Sequence, residues 1–371
     1  MPRSRRSADR RLRIGLDCQA LGAGVRHGFS TYLGNLLRAL RAHFQEHEFV
    51  EWSCHHGPGW RIPNQLWWDQ ARVPWRAWRE HVDLLHVPAF SGALLRPCPL
   101  VLTVHDLLYI RHPEWLPTGR AGWYWGNWIA LTARHATAVI VPSEATKQDL
   151  VELGGVTPDR VTVVYEAVDP HFLKVPAKAD VDAYRVRHGL DRPYILYVGV
   201  IDRRKDLSGL VRAYGQLRSR VKDHRLVIAG HLIKGRSTLS EEIEALGLGD
   251  QVVLPGYVPD SELPLLYAGA SLFVYPSWLE GFGLPPLEAM AQGVPVITYR
   301  NSSLPEVVGD AAVLIDAPYP VDALAEAMLK ALEDDGLRQG LIARGYRRRD
   351  EFSWERAAEE TMAVYQRCLA G

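Results

Sequence analysis

Pro276-Ser-Trp-Leu-Glu280-Gly-Phe-Gly-Leu-Pro-Pro-Leu-Glu288-Ala-Met-Ala-Gln-Gly-Val-Pro-Val-Ile297 follows directly on an apolar run, Leu272 to Tyr275. The run has the length and composition of a buried strand. Gly281 and Gly283 let the backbone approach a ligand closely, and Pro285 and Pro286 suit the first turn of a helix, where a missing amide proton costs little. The segment therefore predicts a strand, a glycine loop and a helix N-terminus, whose free amides suit a pyrophosphate. Glu280 and Glu288 flank the loop, so one carboxylate can face each end of a ligand lying across it. Both can accept hydrogen bonds from sugar hydroxyls.

The same rhythm of short β-branched runs and longer amphipathic stretches extends in both directions, which is the signature of mostly parallel sheets with helices on both faces. Upstream, strands are expected at Leu12 to Asp17, Phe49 to Cys54, Leu84 to Val87, Leu100 to His105, Ala138 to Pro142 and Val161 to Val164. Further strands are expected at Tyr194 to Gly199, Arg225 to Gly230, Val252 to Pro255, Leu272 to Tyr275, Val294 to Thr298 and Val313 to Ile315. Between the two sets, Asp169 to Asp191 reads as a linker with an entry helix around Val181 to Arg187. A last helix, from about Trp354 to Leu369, has Ser353 as its N-cap. These features predict a domain over residues 1–178, a second over 179–350, and a C-terminal helix over 351–371 that packs back toward the first domain. In open parallel sheets ligands bind beyond the carboxyl ends of the strands, so the chemistry is expected in loops that follow strands.

The 371 residues suit two domains, and 43 basic against 43 acidic residues leave no net charge to steer the chain toward nucleic acid. Cys18, Cys54, Cys98 and Cys368 are too scattered for a disulfide framework or a zinc site, which fits a reducing cytoplasm. No apolar run reaches the ~20 residues of a membrane helix. Contact with a membrane surface is left to two features. The opening tail carries Arg3, Arg5, Arg6, Arg10, Arg11 and Arg13, and ten of the twelve tryptophans fall between Trp52 and Trp128. These tryptophans suit the core, an acceptor groove or a lipid-facing surface.

Five further strings stand in order beside the glutamate segment: Thr103-Val-His-Asp-Leu, Val139-Ile-Val-Pro-Ser-Glu-Ala-Thr, Val163-Val-Tyr-Glu-Ala-Val-Asp, Tyr197-Val-Gly-Val-Ile-Asp-Arg-Arg-Lys-Asp-Leu and Leu254-Pro-Gly-Tyr-Val. With these the chain resembles, over nearly its whole length, family 4 of the retaining glycosyltransferases, which have the GT-B fold. The resemblance implies two Rossmann-like domains with mostly parallel sheets facing across a cleft. It implies that Glu280 contacts the donor sugar, that Glu288 holds the ribose hydroxyls, that amides of Phe282, Gly283 and Leu284 serve the sugar and phosphate, and that Gly281 lies with them at the donor. By the same resemblance His105 contacts the donor sugar, the loop holding Gly28 lies near the acceptor, and Gly256, Tyr257 and Val258 border the base.

Lys205, Arg204 and Arg203 follow a strand at a helix start, where three cations sit at the wrong end of the helix dipole unless an anion meets them. They are placed to neutralise a departing diphosphate. Many family members carry an arginine immediately after the strand-end glycine, where this chain has Val200. Arg204 is therefore taken as the second cation, with Arg203 the alternative. His105, at a strand's carboxyl end, is suited to donate to a sugar hydroxyl. Asp180-Val-Asp182 imitates a metal-binding motif of other glycosyltransferases but sits away from any strand end, and His55-His56 lacks a third ligand. Neither a metal nor a cofactor is expected, the nucleotide sugar being a substrate.

The reading is a retaining, metal-independent hexosyltransferase with a nucleotide-diphosphate sugar donor and a saccharide or lipid-linked acceptor. Motif style is closest to bacterial mannosyltransferases that build surface polysaccharide, which makes GDP-mannose the first donor to consider. A sugar-nucleotide epimerase of related architecture would turn over the donor alone. A non-catalytic sugar-nucleotide sensor has no use for the histidine, the cations and both glutamates together.

Overall fold

The structure is a computed structural model that describes residues 10–22, 28–53, 62–88, 91–115, 120–231 and 239–370. Its strands form two six-stranded sheets in which every pairing is parallel. The first sheet consists of β1 (Arg13–Asp17), β2 (Glu48–Trp52), β3 (Leu84–Val87), β4 (Leu100–Thr103), β5 (Ala138–Val141) and β6 (Val161–Val163), in the order β2-β1-β3-β4-β5-β6. The second consists of β7 (Tyr194–Val198), β8 (Arg225–Ala229), β9 (Val252–Gly256), β10 (Leu272–Tyr275), β11 (Val296–Tyr299) and β12 (Ala312–Ile315), in the order β12-β11-β10-β7-β8-β9.

Every strand expected from the sequence is present, with small changes at the ends. One such change is at β11, which begins after Pro295 rather than at Val294, because a proline has no amide proton to give a ladder. β3, β4, β5, β10 and β11 are buried at every residue, as strands covered on both faces must be. The covering helices follow the 3.6-residue period. Leu207–Leu217, for example, buries Leu207, Leu210, Val211, Tyr214 and Leu217.

The chain divides into two compact units, one running to Glu166 and resuming at Ser353, the other running from Ala167 to Phe352. The first passage thus falls upstream of the expected 178/179 boundary. Phe172 is buried in the second unit, and its carbonyl accepts from Gln292 Nε2 at 2.5 Å, so residues read as linker belong to that unit's fold. The entry helix spans Lys178–Arg187, and its Asp182 pairs with Lys178 at 2.5 Å on an exposed face. No cluster of three potential metal-binding side chains occurs among the described residues, and His55 and His56 lie outside them.

In the first unit the helix Trp354–Ala370 begins where Ser353 Oγ accepts from the Arg356 amide at 3.1 Å. Its Tyr365 hydroxyl lies 2.6 Å from Nδ1 of His86 in β3, and His86 Nε2 lies 2.8 Å from the Thr103 hydroxyl. Burial, with the neighbouring His105, pushes the His86 imidazole down to about 3, so a neutral ring with one donor and one acceptor ties the last helix to the sheet. No helix among the described residues is long and apolar enough to cross a membrane.

Candidate active site

In the second sheet β7 is flanked by β8 and β10, and the chain's successive crossovers run outward in opposite directions from the β7/β10 pair. A crevice opens at such a reversal of strand order, beyond the carboxyl ends. Lys205 follows β7 and Glu280 follows β10, so the two best sequence candidates emerge at this one place.

Local capping brings Lys205 there. Asp202 accepts from the Arg204 amide at 3.0 Å and starts a single turn, Arg203–Lys205. Asp206 then takes a left-handed conformation, φ 42°, which Asp tolerates better than most residues. Its carboxylate accepts from the Gly209 amide at 3.2 Å, starting the next helix, and from the Tyr299 hydroxyl at 2.7 Å. Between the two caps Lys205 is buried, Arg204 is half-buried and bonded to Asp202 at 3.2 Å, and Arg203 is exposed.

Lys205 Nζ donates to the Tyr275 hydroxyl at 2.7 Å, lies 4.8 Å from the centre of the same ring, and pairs with the Glu280 carboxylate. Glu280 also accepts from Ser277 Oγ at 2.5 Å. Burial, reinforced by Arg204, lowers the Lys205 ammonium to about 8 against the opposing pull of Glu280. Burial alone would raise Glu280, but Lys205 and Arg204 outweigh it and hold the carboxyl below its ordinary value. The pair is therefore ionised at neutral pH.

The glycine loop is pinned from the turn after β11. Ser303 Oγ donates to the Phe282 carbonyl at 2.6 Å with the Glu280 carbonyl 3.0 Å away, Ser302 Oγ accepts from the Glu280 amide at 3.0 Å, and Asn301 donates to the Ser277 carbonyl at 3.1 Å. Gly281 and Phe282 are buried, and Phe282 packs edge-on against Phe352 at 5.6 Å. Gly283 needs its φ of 111° to open the helix Leu284–Ala291, and a Cβ there would also press on Leu304 at 2.9 Å. Pro285 and Pro286 carry no amide proton, so the helix's opening offers donors at Gly283 and Leu284.

Glu288, one turn further, belongs to a neighbouring set. It accepts from the Tyr267 hydroxyl at 2.8 Å, and burial raises it to about 7 against that bond and the nearby His171. At the end of β9 the Gly256 carbonyl accepts from the Gly230 amide at 2.8 Å; Tyr257 is half exposed and Val258 is buried.

In the first unit His105 stands between two acceptors, Glu166 at 3.2 Å from Nδ1 and the Pro88 carbonyl at 3.0 Å from Nε2. Phe29 and Tyr32 meet its ring edge-on at 4.8 and 4.7 Å. Both lie on the helix Gly28–His43, so Gly28, itself exposed, adjoins the residue that packs on His105. Residues 23–27 of that loop lie outside the described residues. Sequence reasoning did not single out Tyr275, Ser277, Ser303, Tyr267 or Glu166. Glu166 and Ser277 stood inside quoted motifs, and Tyr275 ended the strand just before the glutamate segment.

Two family profiles match the chain: Glycosyltransferase Family 4 over residues 27–172 and Glycosyl transferases group 1 over residues 180–348. O-antigen chain mannosyltransferase B of Escherichia coli is 34% identical over 270 residues, which cover 72% of this chain and 70% of that protein. The chain belongs to glycosyltransferase family 4. MMP alpha-(1->4)-mannosyltransferase of Mycolicibacterium hassiacum is 31% identical over 287 residues, 73% of this chain and 66% of that one. The serotype-specific mannosyltransferase WbdA of Escherichia coli is 28% identical over 278 residues, but the match spans about a third, 34%, of its length. Among solved structures, WaaG, a glycosyltransferase involved in lipopolysaccharide biosynthesis, aligns with TM-score 0.76 at 16% identity over 95% of this chain and 99% of that one. HepE of Anabaena, solved with UDP and glucose, aligns with TM-score 0.75 at 18% identity over the same shares. This family 4 glycosyltransferase therefore has the GT-B fold of two α/β domains.

Proposed function

We propose that this enzyme transfers mannose from GDP-mannose to a hydroxyl of a saccharide or lipid-linked acceptor, with retention of configuration and without a metal ion. The carrying observation is the Lys205–Glu280 pair at the strand-order reversal, in a chain whose relatives include named mannosyltransferases. A diphosphate leaving a sugar gains negative charge as the bond breaks. Lys205 and Arg204 supply fixed positive charge where that develops, in a site dry enough to make it count. Glu280, released from Lys205 by the diphosphate, accepts from hydroxyls of the departing sugar. Glu288 accepts from the ribose hydroxyls. His105 donates to a sugar hydroxyl, which requires its Nε2 to exchange the Pro88 carbonyl for the ligand. The acceptor hydroxyl oxygen bonds to the anomeric carbon from the face that the diphosphate leaves, as the bond between that carbon and the phosphate oxygen breaks, and the hydroxyl proton passes to the departing phosphate oxygen.

The test is turnover of a panel of nucleotide sugars with excess EDTA present. Release of GDP from GDP-mannose that depends on an added acceptor is the expected result. Turnover of a uridine donor alone would overturn the donor assignment. Loss of activity restored by magnesium would overturn metal independence, and conversion of the donor without acceptor would return the epimerase.

A further inference from the structure

The unit that holds His105 carries a helical surface that departs from an ordinary solvated face. Residues 62–79 form a helix, Ile62–Trp67, a wider π-helical turn, Trp68–Arg72, and a second helix, Val73–Arg79. The inner side of this rod is core, where Trp68, Val73 and Ala77 are buried. The outer side is not polar, as an exposed helix face ordinarily is. Trp67, Trp75 and Trp78 stand 53%, 48% and 64% exposed on it. Two of these indoles are covered by guanidinium groups, Arg72 at 5.3 Å over Trp67 and Arg79 at 5.0 Å over Trp75, while Arg76 lies 5.9 Å over the buried Trp68.

The charge on this face has one sign. The segment's only carboxylate, Asp69, is buried and accepts from Gln65 at 2.7 Å and from Ser91 at 2.5 Å. The adjoining Glu80 is half-buried and accepts from the Trp52 indole at 3.0 Å. In a chain with no net charge, three arginines interleaved with three exposed tryptophans are a local departure. Tryptophan is the residue of the membrane–water interface, where its ring meets acyl chains and its N–H meets water, and arginine beside it meets lipid phosphate. Self-association fits poorly, since a two-fold contact would set this cationic patch against its own copy.

We infer that the face bearing Trp67, Trp75 and Trp78 docks the protein on an anionic phospholipid surface, with the indoles at headgroup level and Arg72, Arg76 and Arg79 on phosphates. The experiment is vesicle flotation of the full chain with phosphatidylcholine alone and with added phosphatidylglycerol, at low and high salt. The wild type should float with the anionic vesicles and be released by salt. Trp67→Ser/Trp75→Ser/Trp78→Ser should weaken this by roughly tenfold or more while keeping the wild-type circular dichroism and a single cooperative melt, because each ring is about half exposed and none lies in the core. Arg72→Gln/Arg76→Gln/Arg79→Gln should abolish the preference for anionic over neutral vesicles. A chain lacking residues 1–9, and with them three arginines of the opening tail, should bind like the wild type. Undiminished flotation of the tryptophan variant, equal binding to neutral vesicles, or loss of binding only with the tail would overturn the proposal. So would a wild-type dimer that the tryptophan variant dissolves.

Discussion

The two units share an architecture of six parallel strands but treat the polar groups at their strand ends in opposite ways. In the first unit burial, opposed only by bonds from Gln19 and Trp68, raises Asp17. Burial and the charge of Asp17 raise Asp69 well above the carboxylate range, and His86 is driven toward neutrality. These groups close their hydrogen bonds on one another: Trp68 to Asp17, Ser91 to Asp69, and His86 to Tyr365 and Thr103. In the second unit Lys205 and Glu280 are as deeply placed but remain charged. A buried pair of charges is a weak source of stability compared with apolar packing, because desolvation consumes most of the attraction. The contrast separates a fold's internal bonding from a site prepared for a ligand that brings its own charge.

The strongest way to break this contrast is to delete one member from each side. Lys205→Ala should lower turnover by on the order of a hundredfold or more, as loss of a charge-stabilising donor does. Asp69→Ala leaves the Gln65 amide without its acceptor and Ser91 with the Tyr124 hydroxyl alone, so it should cost about 1–3 kcal/mol of stability and leave the rate of the folded fraction nearly unchanged. Melting temperature and steady-state rate, measured on both variants, decide the matter. A large rate defect in a fully folded Asp69 variant would show that the first cluster also serves a ligand.

The two glutamates should differ in kind. Glu280 is assigned to the sugar that moves, and its interaction can strengthen as the sugar becomes cation-like, so Glu280→Ala should reduce kcat disproportionately, by roughly tenfold to a hundredfold. Glu288 is assigned to the ribose, which does not react, so Glu288→Ala should mainly raise the donor KM. Calorimetry with GDP gives an independent ranking, with affinity falling for the Glu288 variant and holding for the Glu280 variant. The reverse ranking in folded proteins would invert the orientation of the donor.

Much of this was legible in the sequence because it is carried by short segments. Twelve strands, the glycine loop with its two prolines and the Ser353 cap each follow from a few adjacent residues. What was not legible depends on contacts between distant positions. Nothing near Lys205 announces that Tyr275 and Glu280 receive its ammonium, and nothing near the glycine loop announces that Asn301, Ser302 and Ser303 hold it. Likewise the sequence put Arg204 ahead of Arg203 only because Val200 stands where relatives carry an arginine, with nothing to say how either side chain is placed. Only folding makes one exposed and the other half-buried beside Lys205. The unit boundary moved for the same reason, since Phe172 looks like linker until Gln292 reaches its carbonyl.

A smaller effect comes from the Lys205 ammonium, lowered to about 8. Its cationic form is complete well below that value and is lost as pH rises through it. The free enzyme's kcat/KM should therefore fall above about pH 8, while kcat, measured with the diphosphate already against the lysine, should hold to higher pH. Coincident alkaline limbs in the two profiles would mean that Lys205 does not face the diphosphate.

The smallest expected effect is carried by Glu288, and its sign is opposite. Burial raises this carboxyl to about 7, so a substantial fraction is protonated at neutral pH. The neutral form offers one oxygen fewer as a full acceptor, and two ribose hydroxyls ask for acceptors. Ribose binding therefore favours the ionised form, and GDP affinity should rise as pH increases through about 7, by less than about tenfold, since Tyr267 occupies one oxygen throughout. The diphosphate of GDP also titrates in this range, and Lys205 responds to it, so the wild-type curve alone is ambiguous. Glu288→Gln removes the ionisation and keeps the shape, and it retains every contribution from the diphosphate. The difference between the two affinity curves then isolates Glu288. It should be small at pH 6 and grow to pH 8, whereas curves that run parallel would place the ribose somewhere other than on Glu288.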